Sequence, residues 1–457
     1  MNKVKLENTK IEIIDGDRGK NYPSKSDFFT KGYCVFLDAS NVTKSGFNLE
    51  NPLYISKEKS GLMRNGKLKK DDIVITTRGT VGNLAHYNEG INLNYKNIRI
   101  NSGMLIIRNP KDFNTKYLYY LFKSDIIAEQ IRQKTTGSSQ PQITVGILNE
   151  LILLIPPLPT QTAIARVLSS FDDKIELNNK INNELENLAK TIYEYWFVQN
   201  ANNKWEKKRL GEIGVNVIRG VTYNKNDIKT ANDKNVVGIL RATNINGNII
   251  DLDNLVYVDK FLISENQKLQ LFDILITMSS GSKEHVGKNG LFCFDNVNVA
   301  FGAFCSKIDV EEEYKFYIYE HFQSEKFKNH VKSCCLGTNI NNLNNEIIKD
   351  ISITIPPTPI LQKFNKNILP IFSIIIKNRQ ENLCLTQLRD FLLPLLMNGQ
   401  VTVKAIESKT DIIPFKNQDN NEQKFNHWKQ DKKYAARGET DLKTLREIFD
   451  SMDDDDK

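Results

Sequence analysis

Two proline pairs are the first places to look for chemistry in this 457-residue chain. An adenine methyltransferase needs Asp or Asn followed by Pro-Pro and an aromatic residue. The pairs here read Ile155-Pro156-Pro157-Leu158 and Ile355-Pro356-Pro357-Thr358, without the amide or carboxylate. A metal-dependent nuclease core sets a Pro-Asp before a Glu-x-Lys, and none precedes Glu206-Lys207-Lys208. A P-loop needs G-x-x-x-x-G-K-[ST]. The run 281–289 (GSKEHVGKN) has one spacer residue too many, and Asn289 stands where the Mg²⁺-binding hydroxyl belongs. Cysteines 34, 293, 305, 334, 335 and 384 form no C-x-x-C, and the five histidines are scattered. A zinc site is therefore not expected, and the thiols suit a reducing cytoplasm. These absences describe a chain with no catalytic centre, metal or cofactor of its own.

What remains is binding chemistry. Net charge is +7, from 62 Lys+Arg against 55 Asp+Glu. Residues 401–457 hold 11 basic and 13 acidic side chains, which leaves +9 for residues 1–400. A basic body suits a polyanion, because each neutralised phosphate releases counterions; a Lys- and Asn-rich proteome would give the same excess. Arg, Lys, Asn and Gln make the charged or bidentate contacts that read base edges. They gather with Tyr, Ser and Thr in Gly-flanked loops. The first half offers Arg18, Lys20, Asn21, Tyr22, Arg78, Thr80, Lys134, Ser138 and Gln140. The second offers Arg219, Tyr223, Arg241, Ser279, Ser280 and Lys283. Any one such loop could equally be an ordinary solvated turn.

The elements that must position these loops occur twice. Residues 137–157 (GSSQPQITVGILNELILLIPP) match 337–357 (GTNINNLNNEIIKDISITIPP) at equal length, and each runs on through a Pro-x-Pro. Residues 36–42 (FLDASNV) match 239–245 (ILRATNI), and 72–76 (DIVIT) match 273–277 (DILIT). The order is the same, and the period of about 200 residues means a duplicated domain, not a solenoid. Each copy mixes short β-rich runs, including Ile73–Thr76, with helical patterns over 117–133 and 314–331.

A long helix follows each Pro-Pro. Apolar residues recur at 4-3 spacing: Ile164, Leu168, Phe171 and Ile175, then Leu185, Ala189, Ile192 and Trp196. The second helix gives Leu361, Phe364, Ile368, Ile371 and Ile375, then Leu385, Leu392 and Leu396. Such spacing predicts a coiled-coil seam, and about 36 residues make a helix about 54 Å long. Both seams break at Asn: Asn178 and Asn182 in one, Asn378 and Asn382 in the other. Antiparallel packing sets Asn178 against Asn382 and Asn182 against Asn378, where buried amides fix register. The alternative rotates these Asn to solvent and gives the seam to Ile181 and Leu188. Pro370 is expected to kink the second helix, and Pro394 to end or bend it. Tyr193, Tyr195, Trp196 and Phe197 either dock a partner helix or cap the core. No window approaches the 18–20 apolar residues of a membrane span, and the first residues lack a signal-peptide core.

Residues 155–198 (IPPLPTQTAIARVLSSFDDKIELNNKINNELENLAKTIYEYWFV) resemble the central conserved region of specificity subunits of type I restriction-modification systems. Residues 355–400 resemble their distal conserved region, with one extra residue at Ile360-Leu361-Gln362. The loops 15–23 and 77–82 resemble parts of their target-recognition domains. The resemblance implies an α+β fold: two pseudo-repeated mixed α/β target-recognition domains joined by two long antiparallel coiled-coil helices. Its divisions would be 1–155 (first recognition domain), 156–200 (central spacer helix), 201–355 (second recognition domain), 356–400 (distal spacer helix) and 401–457 (tail). It further implies a non-catalytic, cytoplasmic subunit that binds double-stranded DNA at a bipartite asymmetric target. The helix-pairing residues Phe171, Ile175, Asn178, Asn182, Leu185, Ile375, Asn378, Asn382 and Leu385 would set the spacer. Two methyltransferase subunits would bring S-adenosylmethionine, and two restriction subunits ATP and Mg. A protein-only coiled-coil adaptor is the alternative. The tail has no recognised counterpart; Leu442, Leu445, Ile448 and Phe449 predict a short amphipathic helix there.

Overall fold

The computed structural model describes residues 2–403, apart from 45, 50, 89–94, 136–141, 247, 282 and 335–340. The tail expected to carry an amphipathic helix lies outside the described residues. The chain divides into two compact units. Among described residues the first holds 2–174 with 384–403, and the second 175–383.

In the first unit, strands Glu12–Asp15, Met104–Arg108, Ile73–Thr76 and Leu84–His86 lie side by side in that order, all antiparallel. Successive side chains of a strand point to opposite faces. Ile73, Ile75, Leu105 and Ile107 therefore join one core, and Val74, Met104 and Ile106 another. A sheet buried on both faces explains why these strands read as continuous apolar runs. A smaller sheet pairs Cys34–Leu37 with Tyr54–Ile55 antiparallel and with Ile98–Ile100 parallel. Asn2–Lys5 pairs with Ile152–Ile155, so the domain starts beside the strand that leaves it for the long helix.

The second unit repeats this plan. Asn216–Arg219, Cys305–Asp309, Ile274–Thr277 and Asn289–Leu291 form the antiparallel sheet. Val236–Leu240 pairs antiparallel with Val256–Asp259 and parallel with Val299–Phe301. Glu206–Arg209 pairs with Ser352–Ile355. The buried carboxylates Asp72 and Asp273 occupy matching places before the central strands. Arg108 neutralises Asp72 at 2.7 Å and Lys307 neutralises Asp273 at 3.2 Å, from places two residues apart in register and so on the same face of the strand.

Where one helix is expected over 117–133, the structure has two, Thr115–Lys123 and Asp125–Thr135; likewise 314–331 divides into Glu312–Gln323 and Glu325–Cys334. Ser124 and Ser324 make the breaks. Each takes extended backbone, and its hydroxyl donates to a carbonyl three residues back, Leu121 O and His321 O at 2.6 Å. That local bond competes with the helix ladder.

The long helices are Leu158–Glu194 and Thr358–Met397. The second one runs through Pro370 and past Pro394 to Met397. Flanking apolar groups hold it on both sides: Ile368, Ile371 and Phe372 are buried in the second unit, and Leu393, Leu396 and Met397 in the first. Packing of this kind offsets the one backbone bond each proline removes. Of the aromatic cluster, Tyr193 and Phe197 are buried and Trp196 packs at the edge, against Tyr317, Phe364 and Trp205; Tyr195 is exposed. The first three are core.

Glu320 and His321 are buried side by side against this core. Tyr193 Oη lies 3.2 Å from His321 Nδ1. Burial holds the imidazole down at about 4. Burial, and next the Glu186 carboxylate, push Glu320 up to about 8. In the unfolded chain Glu320 ionises near 4.5, while the native state keeps its proton until about 8. Stability therefore falls as pH rises across that interval. Glu320→Gln should raise the melting temperature at pH 8 by roughly 5 °C or more and leave it almost unchanged at pH 4.5. Thermal unfolding at the two pH values measures this.

Candidate nucleic-acid interface

In each domain the predicted loops are organised by one turn. In the second domain it joins Val299–Phe301 to Cys305–Asp309. Gly302 N donates to Leu240 O at 2.8 Å and Ala303 N to Val221 O at 3.0 Å. Met278 N and Ser279 N both donate to Phe304 O, at 2.8 and 3.3 Å. Arg219, Tyr223, Arg241 and Ser279 thereby come to one place. Arg219 and Arg241 are exposed, and the Arg241 guanidinium donates to Asn254 O at 3.0 Å. Tyr223 is half-buried, with its ring against Gly302. Ser279 and Ser280 form a two-residue strand against Asn341–Asn342. Lys283 opens the turn Lys283–His285.

In the first domain the matching turn is 101–103. Asn101 N donates to Leu37 O at 2.9 Å, and Thr77 N to Gly103 O at 2.8 Å. Arg18 reaches Ser102 O at 3.3 Å and pairs with Asp15 at 3.0 Å. Thr80 Oγ1 donates to Ala39 O at 3.3 Å. Exposed Arg78 follows Thr77, so Arg18, Arg78 and Thr80 share this surface. Glycine makes the close approach possible in both copies. A Cβ on Gly16 would lie 2.1 Å from Asn101 O, and one on Gly220 would lie 2.3 Å from Gly302 O.

The other predicted contacts are placed differently. Lys20 is exposed, and Asn21 donates to Leu62 O at 3.0 Å. Tyr22 is half-buried, with its ring edge-on to Phe36 at 5.7 Å, and packs in a small core. Its ring packs against this core while part of the side chain stays at the surface. Lys134 is ion-paired to Glu150 within its own domain. Ser138 and Gln140 lie outside the described residues. Sequence reading missed the turns 101–103 and 302–304. Their trace in the sequence is slight: a glycine in each short break between two apolar runs, Gly103 in one and Gly302 in the other.

The helix seam has its own polar chemistry. In the second unit Asn178 and Asn182 are 1% and 5% exposed, and Ile181 is 39% exposed. The amides, not Ile181, face inward; Leu188 packs at the core edge. Asn178 Nδ2 donates to Asn382 Oδ1 and to Glu381 Oε2, both at 2.8 Å. Asn378 Nδ2 donates to Asn182 Oδ1 at 2.8 Å, and Asn382 Nδ2 to Asn179 Oδ1 at 2.9 Å. Next to them Arg379 and Glu186 form a buried pair at 2.9 Å, and Asn248 of the recognition domain also donates to Glu186. In the first unit Arg389 pairs with Asp172 at 2.6 Å, which accepts from Tyr120 Oη, also at 2.6 Å. Leu185 and Ile375 are buried, whereas Phe171, Ile175 and Leu385 are only half-buried. A two-helix seam has no third layer to cover its flanks.

The family model for the type I restriction modification DNA specificity domain matches residues 9–187 and again 202–386. The chain belongs to this family. The MjaIX specificity subunit of the type I restriction enzyme of Methanocaldococcus jannaschii is 29% identical over 361 residues, which cover 74% of this chain and 79% of that one. The EcoKI specificity subunit of Escherichia coli is 33% identical over 193 residues, 41% of each chain. The solved S subunit from M. genitalium aligns with 87% of this chain and 96% of that one, at 16% identity and a TM-score of 0.47; at that similarity it has no weight of its own. Among the described residues no cluster of His, Cys, Asp or Glu could hold a metal ion, and no helix is long and apolar enough to cross a membrane.

Asn178→Leu combined with Asn382→Leu should raise the melting temperature by roughly 2–5 °C, because apolar packing replaces desolvated amides. It should also loosen register. A spin-label pair at the exposed positions Asn183 and Lys377 would show a broadened distance distribution. An unchanged melting temperature with a sharp, wild-type distance removes the role of the amides.

Proposed function

We propose that this chain is the DNA-reading subunit of a type I restriction-modification complex and performs no chemistry itself. Each recognition domain, 1–155 and 201–355, reads one half of a bipartite, asymmetric double-stranded target. The helices within 156–200 and 356–400 set the gap between the halves and dock two methyltransferase subunits. Those subunits carry S-adenosylmethionine, and two restriction subunits use ATP and Mg. The assembly works in the cytoplasm.

One observation carries this reading: the same turn, in both halves of a duplicated chain, gathers exposed Arg and hydroxyl groups onto one surface. A single reading site would need only one such surface. Two, on equivalent scaffolds with different residues, suit two different short sequences, since phosphate contacts position and base-edge contacts specify. Arg18, Arg78 and Thr80 would serve the first half-site; Arg219, Arg241 and Ser279 would serve the second. The protein-only adaptor explains neither surface, and family membership sets it aside.

Two expected outcomes test the reading by methylome sequencing of cells that carry the full complex. Replacing residues 1–155 with another recognition domain should alter one half-site and leave the other and the gap unchanged. Inserting about four residues after Gln199 should lengthen the gap and leave both half-site sequences intact. A swap that altered both halves, or an insertion with no effect on the gap, would contradict the assignment.

A further inference from the structure

The turn that organises the second domain carries a large apolar side chain that the domain core does not bury. Phe304 is 66% exposed. Fully burying a phenylalanine contributes about 1.5–3 kcal/mol, and here most of that is forgone. The backbone beneath it is fixed, not loose. Phe304 O accepts from both Met278 N and Ser279 N, and Cys305 N closes the turn onto Gly302 O at 2.8 Å. Gly220 N adds a bond to Cys305 O at 3.2 Å. The ring therefore stands on a rigid base, rimmed by the loops of Arg219, Arg241 and Ser279. A single exposed apolar residue is common on protein surfaces; what sets this one apart is its fixed base among the loops that carry Arg219, Arg241 and Ser279.

The first domain lacks it. Gly103 O accepts from Thr77 N just as Phe304 O accepts from Met278 N, so Gly103 holds the equivalent place. The equivalent turn closes in the first domain without a side chain at this place, so the turn itself does not require the ring. Phe261 is more exposed still, at 82%. Its turn, Lys260–Leu262, is bonded to Asn235 and within itself, not to the reading loops.

We propose that Phe304 reads a thymine in the half-site bound by the second domain, laying its ring against the C5-methyl group in the major groove. This rests on the DNA-reading function above and adds a residue to it. A phenyl ring has no hydrogen-bonding group. Among the base edges of the major groove, the thymine methyl is the apolar feature such a ring can select. Arg219, Arg241 and Ser279 supply the charged and hydrogen-bonding contacts around it.

The test uses the full-length chain assembled with its methyltransferase subunits. The half-site belonging to the second domain is the one left unchanged when residues 1–155 are exchanged. Each thymine of that half-site is replaced in turn by deoxyuridine, which removes only the methyl group. At one position the wild-type complex should lose about four-fold in affinity, the worth of one buried methyl. Phe304→Ala should bind the unmodified duplex at least that much more weakly and lose nothing further at that position. Phe304→Leu should restore part of the discrimination. Losses that add instead of cancelling overturn the contact, and so does a half-site in which no thymine responds. A wild-type-only rise in 2-aminopurine fluorescence overturns it too, since that would mean a wedge between base steps. Failure of the parent reading looks different: the wild-type complex would then prefer no duplex over random sequence, before any variant is tried.

Discussion

A layer of amides in the helix seam constrains much of what surrounds it. Asn178 against Asn382 and Asn378 against Asn182 place four polar side chains where an apolar seam would be more stable. Their amide N–H groups find acceptors across the seam in this register, although Asn178 Oδ1 stays buried without a partner. A slip of one heptad, about 10.5 Å of helix rise, would leave desolvated amides facing Ile or Leu. It would also separate Glu186 from Arg379 and Asp172 from Arg389. Those ion pairs are shared with the recognition domains through Asn248 and Tyr120. In the second unit, register in the seam and seating of the domain on its stretch of helix are thus one property.

The two seatings are chemically unlike. Arg389 and Asp172 reach a tyrosine hydroxyl in the first unit; Arg379 and Glu186 reach an asparagine amide in the second. The sheets diverge in the same way, with Arg108 on Asp72 and Lys307 on Asp273. The carboxylate stays in its place while the cation is drawn from two positions away on the matching strand. What the duplication keeps is the requirement that a buried charge be paired, not the residue that meets it.

Much of this was legible in the sequence, for physical reasons that differ from element to element. The run 73–76 reads as a strand because both its faces are buried, and the amide pairing follows from counting antiparallel along two equally placed helices. The Ser124 and Ser324 breaks were not legible. A serine inside an apolar period usually back-bonds without ending the helix. The continuity of the helix through Pro370 and Pro394 is a packing effect: burial of Ile368, Ile371, Leu393 and Leu396 offsets the local cost of each proline. Tyr22 looked like a reading residue because its loop is polar, yet half of it covers Phe36. The convergence of Arg219, Arg241 and Ser279 was hidden because backbone bonds to a turn more than sixty residues from two of them bring them together.

The strand pairs that close each domain have an evolutionary consequence. Asn2–Lys5 lies against Ile152–Ile155, and Glu206–Arg209 against Ser352–Ile355. Chain entry and exit are neighbours in both cases, joined by the same four-residue ladder. A genetic crossover at these boundaries exchanges a whole closed loop of polypeptide and meets the same junction on the other side. The ladder that joins entry to exit is then rebuilt by the incoming segment itself.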